Sequence, residues 1–299
     1  MSTNDSEFKQ GICYALTAYV LWSIAPLYFK LIEQVAPGEI LMHRIIWSFI
    51  FLFILLFATK QVAEVVGYFK KPKLLLLSSI TACLVASNWL VFIWAVHNDQ
   101  LLEASLGYFI NPMVNVALGV VFLRERIPRL QLFAVAVATF GVLFQLIVFG
   151  YIPLVSLALA ITFAIYGLLK KKIKVKAVTG LFIETTILLP AALYYWWFIE
   201  SDTSSFSNNP MSLNISLICA GIVTTLPLLA FSAGATRIPY YMIGLLQYIG
   251  PSAMFVLAIV VFDEVLDQTK LITFAFIWLA LFIFVFDIVT KLRKSEVSL

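Results

Sequence analysis

The 299-residue chain is poor in charge: Lys, Arg, Asp and Glu make up 12% of it, roughly half the share found in soluble domains. With 62% of its residues hydrophobic, a soluble fold of this size would leave too much apolar surface in water. That excludes a cytosolic enzyme, a disordered chain and a nucleic-acid binder. Cysteine is scarce too. Cys13, Cys83 and Cys219 lie in apolar runs without ligand spacing, which excludes a disulfide framework and a metal site. The two histidines, His43 and His97, are read as having no His, Cys or acid at ligand spacing on the same helix face. There is no Gly-rich phosphate loop and no nucleophile–His–acid set, so no ATP hydrolysis and no cofactor are expected. Residues 1–10 lack the basic region and short apolar core of a cleavable signal, so the first span is read as an uncleaved anchor.

What is present is length in apolar runs. Ten of them, at 11–32, 40–58, 74–96, 104–123, 130–148, 152–169, 178–199, 213–235, 240–262 and 271–290, hold 18 to 23 residues each. That length crosses a hydrocarbon core of about 30 Å. The expectation is an all-α polytopic membrane protein of ten transmembrane helices, with no room for a separate soluble domain. The longest connections are 59–73, with space for a surface turn of helix, and 200–212, rich in Ser and Asn. Ten spans put both termini on one side. Seventeen of the twenty Lys and Arg residues fall on that side, and only Lys30, Arg44 and Lys270 on the other. Cytoplasmic loops carry the basic excess, so both termini are expected in the cytoplasm.

A shift of 139 residues lays 106–125 over 245–264, with identical residues at Leu106/Leu245, Ile110/Ile249, Pro112/Pro251, Leu118/Leu257, Val121/Val260 and Glu125/Glu264. It also lays Gly11 over Gly150. This divides the chain into two five-helix repeats, 11–149 and 150–290. Five is odd, so the second half enters the membrane inverted, an arrangement that recurs in transporters. The charges agree: Arg124, Glu125 and Arg126 make a basic loop, and Asp263 with Glu264 an acidic one expected outside.

Ionisable residues inside a bilayer are costly, and each is a functional hypothesis by default. Lys30 can snorkel to the interface, and Asp287 has Lys291 one turn on; both read as structural. Arg44 and Glu184 are different. They occupy almost repeat-related positions, each about a quarter of the way in from opposite faces. One reading places them at the two mouths of a central cavity. The other has them clamp helix ends, Arg44 on Glu103 and Glu184 on a cytoplasmic Arg or Lys.

Tyr108, Asn111 and Asn115 share one helix face. Pro112 interrupts their helix, and its counterpart Pro251 follows Gln247 and Tyr248. Two proline-interrupted helices beside amides fit a substrate site at the membrane midplane, with Pro112 and Pro251 as hinges; the same amides could instead glue helices together. Trp22, Asn88, Trp89, Tyr166, Thr224 and Thr225 are further polar or aromatic candidates. If transport is proton-coupled, His43 and Glu184 are the in-span groups that could titrate.

The runs LWSIAPLYFKLI (21–32), EILMHRIIWS (39–48), NWLVFIWAV (88–96), EASLGYFINPMVNVALG (103–119), GLLQYIGPSAMF (244–255) and TFAFIW (273–278) resemble the RarD group of the EamA branch of the drug/metabolite transporter superfamily. The resemblance spans essentially the whole chain. It implies a five-plus-five inverted repeat in the bacterial inner membrane, moving small molecules by alternating access. Superfamily relatives export amino acids and other metabolites, so export is favoured. The expected function is therefore secondary transport of a small, amino-acid-like or amphipathic molecule. Its partners are the substrate and the lipid bilayer, with no nucleic acid; a monomer is compatible with the sequence. The rivals are an intramembrane enzyme acting on lipid, which lacks a catalytic set, and a sensor, which lacks a signalling domain.

Overall fold

The computed structural model describes residues 3–98, 100–199, 201, 203–261 and 268–297. They form an all-α polytopic membrane protein. The helices are α1 (Thr3–Lys30), α2 (Pro37–Ala58), α3 (Val62–Phe69), α4 (Pro72–His97), α5 (Leu101–Leu123) and α6 (Arg129–Phe149), then α7 (Leu154–Ile173), α8 (Ala177–Phe198), α9 (Met211–Arg237), α10 (Tyr240–Gln247), α11 (Ile249–Val261) and α12 (Gln268–Val297). Among the described residues, nine of these are long and apolar enough to cross a membrane. The short α3 occupies the connection in which the sequence leaves room for it.

Proline and left-handed residues set many of the boundaries. Pro37 and Pro72 begin α2 and α4, and Pro128, Pro153, Pro210 and Pro239 stand just before α6, α7, α9 and α10. A missing N–H does no harm there, because the first turn has no intrahelical acceptor for it. Arg124, Gly150 and Lys174 close α5, α6 and α7 with φ of 53°, 81° and 51°, the left-handed turn that ends helices.

The ninth expected span, 240–262, is divided at Tyr248 into α10 and α11, neither of spanning length over the described residues. Pro251 offers no N–H to the Gln247 carbonyl one turn earlier, which accounts for the break. The first half does not match it: α5 runs unbroken through Pro112. The helix α10 presses against this turn. A Cβ added at Gly244 would lie 2.6 Å from the Pro112 carbonyl oxygen, so only glycine permits this approach. The expected pair of interrupted helices is thus one interrupted and one continuous helix.

The helices of residues 1–149 pack mainly on those of the remainder: α1 on α9, α2 on α8 and α9, α4 on α7 and α8, α5 on α7 and α10, and α6 on α12. Three contacts show how this is held. Gly221 on α9 meets the backbone of Trp47 and Ser48 on α2 so closely that a Cβ would sit 2.3 Å from a main-chain carbon. Glu125, after α5, accepts the backbone N–H groups of Tyr240 and Tyr241 at 2.7 and 3.0 Å. A carboxylate there complements the positive end of α10. The expected acidic counterpart, Asp263 and Glu264, lies outside the described residues. Asp287 bonds Lys291 and also accepts from Gln131 Nε2 at 2.6 Å, tying α12 to α6.

Candidate functional site

Between α2, α4, α8 and α9 lies a small cavity lined by Ser48, Trp89, Glu184, Thr185 and Thr225 among aliphatic side chains. Its open volume is about 10 Å³, room for about one water. The hydroxyl of Thr225 is buried there without a hydrogen-bond partner. Buried polar groups without partners are rare, so this oxygen is available to a guest.

One turn from the lining residue Ser48 on α2 stands Arg44, 7% exposed. Its Nε donates to Thr224 Oγ1 at 2.8 Å, and its guanidinium carbon lies 4.2 Å from the Trp89 ring centre and 5.3 Å from that of Phe29. Aromatic faces attract a cation but do not neutralise it. Among the described residues no carboxylate comes within ion-pair distance of Arg44. The expected clamp on Glu103 is absent. Glu103 instead accepts the Tyr151 hydroxyl and the Val155 N–H, both at 3.1 Å. It sits at the mouth of α5, where the turn into α7 offers nearer donors. A lone guanidinium buried this deeply is an unusual expense.

Glu184, itself part of the lining, is only 2% exposed. Lys170 Nζ lies 3.0 Å from its Oε1, Thr81 donates to the same oxygen at 2.6 Å, and Tyr166 donates to Oε2 at 3.4 Å. The sequence leads to a Lys partner but places Lys170 in the basic loop. The structure buries it in the last turn of α7, its long stem reaching inward along apolar surface. Trp89 beside Arg44 and Thr81 beside Glu184 are eight residues apart on α4, about 12 Å along the axis. Trp22 packs on Phe163 and Phe231, with ring centres 5.5 and 5.7 Å away, next to Tyr166 and away from the cavity lining.

The amides lie elsewhere, at the crossing of α5, α7 and α10. Asn115 Nδ2 donates to Gln247 Oε1 at 2.8 Å and to Asn111 Oδ1 at 3.1 Å. Asn111 donates to the Ala160 carbonyl, and Tyr240 donates to Asn115 Oδ1. Tyr248 donates to the Phe109 carbonyl at 3.2 Å. Asn88 donates to the Leu159 carbonyl and to Thr162, joining α4 to α7. Tyr108 meets Phe92 edge-on at 6.0 Å. These amides therefore bond helix to helix. Asn115→Ala is expected to lower the melting temperature, at a cost of about 1–3 kcal/mol from stranded buried partners, while folded protein keeps its transport; a variant of full stability without transport would show that the amide touches substrate.

His43 has partners other than those of Arg44. Its Nδ1 accepts from Trp47 Nε1 at 3.2 Å, and its Nε2 lies 3.7 Å from Glu39 Oε1. The expectation that His43 has no acid on its helix face is thus corrected: Glu39 is one turn earlier. Glu39, Thr81 and Lys170 are residues the sequence reading passed over. The i,i+4 spacing of Glu39 and His43 was a usable signal. The positions of Thr81 and Lys170 depend on helix rotation, which a uniformly apolar run does not reveal.

Membrane-spanning helices packed around a polar interior define a polytopic membrane protein. The model of the EamA-like transporter family matches residues 9–147. The chain is 52% identical to Protein RarD of Salmonella typhimurium over 290 residues, covering 97% of this chain and 99% of that one. It is 50% identical to an uncharacterized transporter of Vibrio cholerae over 96% of this chain and 95% of the relative. A Bacillus subtilis relative, also named an uncharacterized transporter, is 41% identical over 97% of this chain and 98% of its own. The backbone matches a solved crystal structure with a TM-score of 0.71 at 17% identity, over 91% of this chain and 96% of that one, a likeness of fold. The chain belongs to the RarD group of EamA transporters, within the drug/metabolite transporter superfamily, and is a multi-pass membrane transporter.

Proposed function

We propose that the protein is a secondary transporter of the bacterial inner membrane that moves a small carboxylate-bearing, amino-acid-like or amphipathic molecule by alternating access, with export as the favoured direction. The observation that carries this reading is Arg44: a buried guanidinium without a carboxylate partner among the described residues, stacked on Trp89, which lines the cavity. A substrate carboxylate would supply the missing charge, Trp89 its apolar contact and the unpartnered Thr225 hydroxyl a hydrogen bond. The present cavity admits about one water, so loading requires α2, α4, α8 and α9 to part. Glu184 would then close or counter the opposite mouth.

Two inverted halves, 11–149 and 150–290, give the motion its symmetry. Exchanging α1 with α7, α2 with α8, α4 with α9, α5 with α10–α11 and α6 with α12 maps the packing onto itself: α1 on α9 becomes α7 on α4, and α2 on α9 becomes α8 on α4. The family match over 9–147 covers nearly the first half alone. On this reading Pro112 and Pro251 flank the pivot, and the amides about Asn115 bond across it. The basic side of the protein, with both termini, faces the cytoplasm.

A thermal-shift screen of purified protein against amino acids, other small carboxylates and neutral drug-like compounds tests the assignment. Stabilisation by a carboxylate in the wild type but not in Arg44→Ala is expected. Equal stabilisation of both proteins would remove Arg44 from the site.

A further inference from the structure

Around the cavity, the carboxylates of the neighbouring elements are already engaged. Glu184, in the lining, has the Lys170 ammonium at 3.0 Å and the Thr81 hydroxyl at 2.6 Å. Glu39, on α2 with Arg44, accepts the hydroxyls of Ser201 and Thr203 and faces His43 Nε2 at 3.7 Å. Neither carboxylate pairs with Arg44. What surrounds the guanidinium is the rings of Trp89 and Phe29, the Thr224 hydroxyl and, within electrostatic reach, the phenols of Tyr28 and Tyr108. Side chains of these types carry no charge at physiological pH. The rest of the lining is neutral as well. Ser48 donates to the Gly221 carbonyl and Thr185 to carbonyls of its own helix, and Leu52, Val85, Leu181, Leu188 and Leu228 form an aliphatic wall.

We propose that the molecule held at Arg44 is a net anion: a carboxylate on an apolar body, with no ammonium beside it. Resting on the Arg44 reading above, this narrows it to one charge type. A carboxylate neutralises the guanidinium and accepts its remaining N–H groups. In an α-amino acid the ammonium is fixed two bonds from the carboxylate carbon, so it enters the same aromatic and aliphatic surroundings. Hydroxyl oxygens there can accept its hydrogen bonds. None carries a charge to set against it, and the guanidinium repels it. Glu184 is out of its reach. Trp89 beside Arg44 and Thr81 beside Glu184 are eight residues apart on α4, about 12 Å along the axis. A zwitterion therefore leaves a positive charge without a partner inside the membrane, which is costly. A monoanion leaves none. Beyond the guanidinium, the Trp89 ring and the aliphatic wall suit an alkyl or aryl body.

Pairs of compounds that differ only in the α-ammonium test this: hydrocinnamate against phenylalanine, and isocaproate against leucine. Each is titrated calorimetrically into full-length wild-type and Arg44→Ala protein at neutral pH. The deamino acid of at least one pair is expected to bind the wild type about 10- to 100-fold more tightly than its amino acid. In Arg44→Ala that preference is expected to vanish. The preference itself is read in the wild type, so it does not depend on the variant folding. Amino acids bound at least as tightly as their deamino partners, with binding lost in Arg44→Ala, would overturn the anion assignment and leave Arg44 in the site. Deamino acids bound equally by both proteins would remove Arg44 from the site altogether. No binding of any of the four by the wild type would also overturn the anion assignment.

Discussion

Arg44→Ala is expected to lower transport by about 10- to 100-fold, the worth of about 1.5–3 kcal/mol for a hydrogen bond to a charged group, while the folded protein is recovered with an unchanged or higher melting temperature. The two halves of that result belong together. The variant strands one hydroxyl, Thr224 Oγ1, at a cost of about 1 kcal/mol. Against this it removes a buried cation for which no described carboxylate compensates, and relief of an unpaired charge is stabilising. If Arg44 were a clamp between helix ends, its loss would instead lower stability, and transport would fall only with the amount of folded protein. Purified variant protein, with melting temperature and vesicle flux measured on the same sample, separates the two.

Lys170 gives the opposite signature. Its ammonium is 3.0 Å from Glu184, with both side chains below 10% exposure. Lys170→Ala leaves a buried carboxylate with only the hydroxyls of Thr81 and Tyr166, and is expected to destabilise the protein by about 3–5 kcal/mol. Lys170→Met with Glu184→Leu removes both charges and should recover most of that loss, since apolar replacement of a buried pair is near neutral. Melting of the two single variants and the double variant measures the coupling. Single variants that melt with the wild type would show that this pair contributes nothing to the fold.

Helix positions were largely legible because a span must be long and apolar, and because prolines stand at so many of the starts. The nine spanning helices of the described residues fall where the apolar runs predict them. Rotation about each axis was not legible. In a soluble protein the polar face announces itself; in this chain lipid and interior are both apolar, so periodicity is silent. That is why Lys170 looked like one more loop lysine. The same blindness paired Arg44 with Glu103, which depth alone allowed and which the turn between α6 and α7 prevents.

The amides show a different limit. Their clustering on one face of α5 follows from spacing, and Asn111, Asn115 and Gln247 meet in the structure. Whether such a cluster serves substrate or neighbouring helices depends on how many of its bonds are already spent. Only the structure shows Asn115 donating to two partners and accepting from Tyr240. The symmetry of Pro112 and Pro251 is likewise visible in the sequence, but not that α5 stays whole while α10 and α11 part.

Flux in reconstituted vesicles tests the central claim most directly. Wild-type and Arg44→Ala protein would be compared for movement of labelled amino acids, other small carboxylates and uncharged drug-like compounds. Movement of at least one carboxylate-bearing compound by the wild type, lost in the variant, is the result predicted here. No movement of any compound, or equal movement by both proteins, would contradict it.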